Sequence, residues 1–259
     1  MIKKIITTCI GLMLGLALFG VGLIAIAILV TYPKLPSLDS LQHYQPKMPL
    51  TVYSSDGQVI GLYGEERRNF TKIKDFPKVL KDAVIAAEDK RFYEHWGVDV
   101  LGVARALIGN VVAGGVQSGA STITQQVAKN FYLSNERTFS RKFNEALLAY
   151  KIEQSMSKDQ ILELYFNQIY LGQRAYGFAA AAQIYYNKNV KDLTLGEASM
   201  LAGLPKAPSA YNPIVNPERA KLRQEYILNN MVEEKMITPQ ERDEALKEEL
   251  HYERFVQKI

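Results

Sequence analysis

The chain has little cysteine, histidine or tryptophan: one, three and one among 259 residues. A lone cysteine, Cys9, excludes an intramolecular disulfide and a cysteine-based metal site. His43, His95 and His251 are too scattered along the chain to suggest a histidine cluster, so no metal ligands are assigned. Charge is missing altogether from Ile5 to Pro33, where Leu, Ile, Ala, Val and Gly dominate. About 20 apolar residues cross a bilayer, so this run is long enough to span it with some tilt. A cleavable signal peptide has an apolar core of only about 7 to 15 residues, so the run reads as an uncleaved anchor, although Ala25-Ile26-Ala27 would suit cleavage. Lys3 and Lys4 precede it and keep the N-terminus in the cytoplasm, with the bulk of the chain outside. No internal repeat or low-complexity tract follows.

What is present is otherwise ordinary globular composition, 47% hydrophobic and 22% charged, with length for one core of roughly 200 residues and an appendage. The formal net charge of +4 favours an anionic surface or substrate. Membrane attachment tilts that choice toward lipid phosphate and away from nucleic acid.

Residues 32–49 form a proline-punctuated tether. Thr51-Val52-Tyr53 and Gln58 to Tyr63 flank Ser54-Ser55-Asp56-Gly57, and an Asp-Gly between β-prone runs predicts a hairpin. Beyond it the chain turns helical. Capping boxes mark helix starts at Thr122 with Gln125, Ser157 with Gln160, Thr194 with Glu197, and Thr238 with Glu241. Pro205, Pro208, Pro213 and Pro217 interrupt before a last helix pair, the first opening with Asn216 as cap and Pro217 at its first position. Val98 to Val116 is Gly-Val-Ala rich, and periodicity alone leaves it either a buried helix or one lying in the membrane interface.

Val79, Leu80, Ala83, Val84 and Ala87 recur at helical spacing, so Glu88 arrives at the end of an apolar face. Taken alone, Glu88-Asp89 reads as a solvated acidic pair. A carboxylate against apolar walls has a raised pKa suited to a general base. Gly119 to Gln126 combines small residues and hydroxyls at a helix start, either plain capping or an oxyanion site, with Ser121 and Thr122 near exposed N–H groups. Gln125 and Gln126 supply amides for sugar hydroxyls. Lys129, Arg137, Arg141 and Lys142 gather positive charge opposed only by Glu136. Arg141 and Glu145, one turn apart on a helix capped by Thr138, suit an ordinary surface pair. The same residues suit a cationic cradle for a diphosphate, with Glu145 as a second carboxylate facing Glu88. On the amphipathic helix from Lys158 to Asn167, Glu163 and Asn167 share a face, either positioning the site or touching substrate, while Tyr165 largely serves the core. Gly177 to Ala182 reads as close helix packing.

Together these stretches resemble the peptidoglycan glycosyltransferases. Glu88-Asp89-x-x-Phe92-x-x-His95-x-Gly97 matches their first signature. Gly119 to Gln126 resembles the second, Arg141-Lys142-x-x-Glu145 the third, Lys158 to Asn167 the fourth, and the Ala-rich stretch ending Tyr185-Tyr186-Asn187-Lys188 the fifth. Tyr186-Asn187 stands where the family commonly has Phe-Gly. The hairpin region and Leu204 to Ser209 look more like the N-terminal half of a bifunctional class A penicillin-binding protein than a monofunctional enzyme.

The resemblance implies a mainly α fold: a lysozyme-like helical glycosyltransferase domain with a small membrane-proximal jaw lobe, a short β-hairpin and an N-terminal transmembrane helix. The expected division is 1–4 cytoplasmic tail, 5–33 transmembrane anchor, 34–69 tether and hairpin, 70–235 glycosyltransferase domain, and 236–259 a helical linker toward a transpeptidase domain that the chain does not contain. It further implies polymerisation of lipid II into β-1,4-linked glycan strands with release of undecaprenyl diphosphate, on the outer (periplasmic) face of a bacterial inner membrane crossed once. Glu88 is then the base and Glu145 the second catalytic carboxylate. Ser121, Thr122, Gln125, Gln126, Lys129, Arg137, Arg141, Lys142, Glu163, Tyr165 and Asn167 are expected to bind substrate. The partners implied are lipid II, the growing lipid-linked strand, membrane lipid and cell-wall synthesis proteins. A divalent cation, Mg or Mn, at the donor diphosphate is compatible with this chemistry but no residue pattern demands it.

Two rivals are a lytic enzyme on the same fold and an inactive membrane-anchored scaffold. The cation cluster has no use in the first, and both Glu88 and Glu145 are present against the second. Ser155-x-x-Lys158 formally fits the penicillin-reactive nucleophile pattern, but the partner motifs such a site needs are absent.

Overall fold

A helix that is apolar all round needs an apolar solvent. Helix α1 (Ile2–Thr31) is such a helix: Leu18 and Leu29 are more than 70% exposed, and its most apolar window has nothing packed on it. At 1.5 Å per residue it is about 45 Å long, more than the roughly 30 Å hydrocarbon core. It is long and apolar enough to cross a membrane. This computed structural model describes residues 2–42, 50–63, 67–68, 70–113, 121–133 and 138–252.

After the short helix α2 (Asp39–Gln42), strands β1 (Leu50–Tyr53) and β2 (Val59–Tyr63) pair antiparallel, Leu50 opposite Tyr63. Gly57 takes φ +81° in the connecting turn, as the Asp-Gly dipeptide predicts. Strand β3 (Arg67–Arg68) pairs in parallel with β4 (Ala175–Tyr176), a long-range contact that no local pattern announces.

The remaining body is helical: α3 (Lys78–Glu88), α4 (Val100–Ala113), α5 (Ile123–Tyr132), α6 (Phe139–Ser155), α7 (Lys158–Gln168), α8 (Phe178–Tyr186), α9 (Leu195–Leu201), α10 (Pro217–Glu233) and α11 (Pro239–Lys247). All four expected capping boxes form, at α5, α7, α9 and α11. Thr138 caps α6 and Pro217 opens α10. Asn216 precedes α10 without a side-chain cap, because its amide donates to Ser209 O at 2.9 Å.

Helix α5 packs on α6 and α7, while α3 packs on α9 and α10. Fully buried Phe92, Tyr165, Phe166, Phe178 and Tyr185 fill the space between. Each such ring contributes roughly 1.5–3 kcal/mol by leaving water. Gly177 explains how α8 comes so close to α7: at φ +84°, a Cβ there would lie 2.8 Å from Phe166 O. Asn187 ends α8 at φ 51°, the left-handed position where Gly is usual and Asn is the best substitute. That accounts for Asn187 at the place where the fifth motif commonly has Gly.

Of the two readings open for α4, burial does not hold over its first turn, where Val100 and Leu101 are more than half exposed. After residue 235, α11 packs on α9 and α10, and Leu246, Leu250 and Tyr252 lean on the core.

Candidate active site

Glu88 is the last residue of α3, whose Leu80, Ala83 and Val84 are fully buried and anchor its apolar face. Its side chain is 10% exposed. Gln126 Nε2 donates to Oε2 at 3.0 Å, and an Arg223 guanidinium nitrogen lies 3.4 Å from Oε1. Burial pushes the carboxyl up from its ordinary value; the Gln126 hydrogen bond and the Arg223 and Lys206 charges pull the other way. The net is a carboxyl able to take and return a proton nearer neutrality.

The rest of the first motif builds the loop that fixes Glu88. Asp89 accepts from Ile123 N at 2.9 Å, capping α5, and from His95 Nε2 at 2.8 Å. Gly97 N donates to His95 Nδ1 at 3.1 Å, so that nitrogen is bare and Nε2 carries the proton given to Asp89. Thr122 Oγ1 donates to Gly97 O at 2.6 Å. Gly97 has φ +110°, and a Cβ there would meet the Ala149 backbone at 2.8 Å. Lys158 reaches back from α7 to His95 O (2.6 Å) and Glu153 (2.7 Å), over the ring of Phe92. Glu153 also accepts from Thr124 Oγ1 at 2.6 Å. Ser155, with its hydroxyl on Lys151 O, is therefore not paired with Lys158.

The second carboxylate lies on α6. Glu145 is buried, its side chain 3% exposed, with Arg141 on Oε2 and Lys142 on Oε1. The Arg141–Glu145 pair expected at the surface is interior because α6 packs this face against α5. Lys142 also donates to Ser121 Oγ at 2.7 Å, just before the start of α5. Arg141 Nε is buried with no acceptor among the described residues, a donor that a ligand oxygen would satisfy.

The N-terminal part of α5 thus links the two carboxylates: Gln126 contacts Glu88, and Ser121 contacts the Lys142–Glu145 pair. A cleft lined by Glu88, Asp99, Arg105, Ser121, Thr122 and Tyr226 runs along it. Lys129 follows Gln126 by one turn on α5, and its ammonium makes no contact with a described residue. Arg137 lies outside the described residues.

Several expected substrate-binding groups also make contacts within the scaffold. Gln125 and Thr122 satisfy each other in the capping box. Glu163 accepts from Ile73 N at 2.7 Å. Asn167 accepts from Thr71 N and donates to Thr71 O, both at 2.8 Å, stapling that segment to α7. Tyr165 is buried and reaches only Gln126 Oε1, at 3.4 Å. All but Tyr165 are used because a buried backbone N–H or C=O needs a partner.

Sequence reasoning missed Arg223 and Lys206 beside Glu88. A signal for Arg223 exists. Ala220, Arg223, Gln224, Ile227, Leu228, Asn230 and Met231 form one buried stripe of α10, with three polar residues where apolar ones belong.

The donor set suits cations on an anionic ligand better than a resident metal. Both Glu145 oxygens already accept from cations, and among the described residues no three His, Cys, Asp or Glu side chains converge.

A transglycosylase family model matches residues 56–232, starting within the hairpin. Penicillin-binding protein 1A of Neisseria flavescens is 87% identical over 259 residues, which cover 100% of this chain and 32% of that protein. Its counterpart from Pseudomonas aeruginosa is 48% identical over 257 residues, 99% of this chain and 31% of that one. A crystal structure of penicillin-binding protein 1A from Haemophilus influenzae is 32% identical with a TM-score of 0.49, covering 81% of this chain and 22% of that one. The chain spans about a third of the length of the curated relatives it matches. With the family match running through more than half of its residues, the chain belongs to the transglycosylase family, the peptidoglycan glycosyltransferases that its motifs resemble.

Proposed function

We propose that this chain polymerises lipid II into β-1,4-linked glycan strands, releasing undecaprenyl diphosphate, as the glycosyltransferase part of a bifunctional penicillin-binding protein. The observation that carries the reading is the meeting of a buried, proton-accepting Glu88 and the Arg141–Lys142–Glu145 cluster at the start of one helix. Glu88 takes the proton of the acceptor sugar 4-hydroxyl as that oxygen attacks the donor anomeric carbon. The new C–O bond forms opposite the breaking bond to the diphosphate, so an α-linkage becomes β. Charge building on the departing diphosphate falls to Arg141, Lys142 and the uncommitted ammonium of Lys129, with Arg137 as a fourth contributor. Glu145 holds the first two cations in place rather than touching a proton. Ser121 and Gln126 line the sugar path.

The substrate is a lipid, and α1 would keep the enzyme on its membrane with the N-terminus cytoplasmic and the body periplasmic. Val100 and Leu101, next to the cleft residues Asp99 and Gly102, are each more than half exposed and suit a jaw resting on lipid.

A lytic enzyme would also use a carboxyl raised by burial, but the cations would then have no task. Incubating the purified protein with labelled lipid II and separately with purified sacculi separates the two. Polymer from the first, with a loss of at least about 100-fold in Glu88→Gln, is expected. Soluble fragments from sacculi, or full polymerisation by the Gln variant, would refute the assignment.

A further inference from the structure

The C-terminus of α3 is walled by α10, which brings a charged side chain into a buried seam. Arg223 is 8% exposed, and its guanidinium nitrogen lies 3.4 Å from both Glu88 Oε1 and Ala87 O. Tyr226 and Tyr211 cover the guanidinium at 4.9 and 5.8 Å from their ring centroids. Gly203 gives the stem room, since a Cβ there would sit 3.0 Å from Arg223 Cγ. One turn of α10 further on but one, Asn230 donates to Ala86 O at 3.1 Å, so α10 meets two terminal carbonyls of α3. Arg223 Nε has no partner among the described residues. A buried guanidinium left partly unsatisfied costs stability, and an apolar residue of similar volume would pack the seam at less cost.

We infer that Arg223 is a positioning residue for the glycosyl transfer, pinning the Glu88 carboxylate against the end of α3 and facing it into the cleft. This rests on the reaction proposed above. The contact is long enough to leave Glu88 free to accept a proton, where a short bidentate pair would block it. A positive charge at this place favours the ionised carboxylate, against burial and the neighbouring Asp89. The other groups facing Glu88 are Gln126 from α5, Tyr165 from α7 through Gln126, and Lys206 from the segment before α10. Lys206 is exposed and acts on Glu88 through its charge without a hydrogen bond, so water screens it more than it screens Arg223.

The test uses the full chain in detergent micelles with Arg223→Gln and Arg223→Lys. Two quantities are followed against pH: kcat/KM on lipid II, and the carbon-13 shift of the Glu88 carboxyl, assigned by its loss in Glu88→Gln. In Arg223→Gln, the acid limb and the carboxyl titration both move to higher pH, and kcat falls about 10- to 100-fold, the range for a misplaced catalytic group. Arg223→Lys restores part of each. An unmoved carboxyl titration in a folded Gln variant overturns the inference, whether or not turnover falls. Should the Gln variant not fold, the Lys variant decides, because an ammonium cannot span both contacts and wild-type kcat would overturn the role. The titration needs no turnover, so failure on lipid II with a moved carboxyl would sink the proposed reaction and leave the coupling standing.

Discussion

Glu88 and Glu145 are both buried carboxylates within reach of the start of α5, and the surroundings of each are opposite in kind. Glu88 ends a helix among apolar residues and has two loose partners, at 3.0 and 3.4 Å. Glu145 sits inside α6 with one cation on each oxygen. The first is thereby left with a carboxyl raised by burial and space to exchange a proton, while the second is spent on neutralising and orienting its partners. Burial with incomplete pairing leaves Glu88 suited to the base role proposed for it, which burial alone would not.

The comparison can be broken most directly at Glu145. In Glu145→Gln, Arg141 and Lys142 lose their anchor, and turnover on lipid II should drop on the order of 10- to 100-fold with the pH of the acid limb unmoved. An acid limb that moved as far as it does on altering the surroundings of Glu88 would mean that Glu145 shares the base role. Stability sharpens the contrast next. Glu145→Gln should unfold more easily by about 1–3 kcal/mol, less than the 3–5 of a fully buried pair because the Lys142 side chain is 45% exposed.

Glu88→Gln should go the other way and melt higher than wild type at pH 7. The folded pKa of Glu88 is raised, so the native state binds more protons than the unfolded chain between the ordinary carboxylate value and the raised one. Stability therefore falls as pH rises through that window, and the amide removes the penalty. The gap should close below the ordinary carboxylate range, which thermal melts at two pH values would read. Lys129→Met should cut turnover at least about tenfold. Its melting temperature should stay within the ±0.5 kcal/mol of an uncommitted surface change, since its ammonium makes no contact with a described residue. The smallest effect is expected from penicillin, which should leave no covalent adduct on this 259-residue chain. Ser155 and Lys158 are engaged elsewhere, and mass spectrometry would detect any acylation.

The helix starts were readable because a capping box is local: two residues three positions apart hold both the donors and the acceptors, and Thr122, Ser157, Thr194 and Thr238 all behave accordingly. The apolar run of α1, the Asp-Gly turn and the end of α3 at Glu88 have the same local character. Glu163 and Asn167 were harder to interpret. A polar pair on one helix face looks the same in sequence whether it meets a sugar or the backbone of residues 71–73. Asp89 and His95 were legible only as members of a motif, with no sign that they cap α5 and lock a loop.

What could be read from the amino acids unaided were the apolar run of α1, the helix starts and the two carboxylates proposed for the chemistry, because spacing, capping and apolar periodicity operate within a turn or two of chain. The pairing of each carboxylate was decided in three dimensions, since Arg223 lies 135 positions from Glu88 and reaches it only when α10 packs across the end of α3. Electrostatic environment depends on distance and exclusion of water, and neither exists until the helices are assembled.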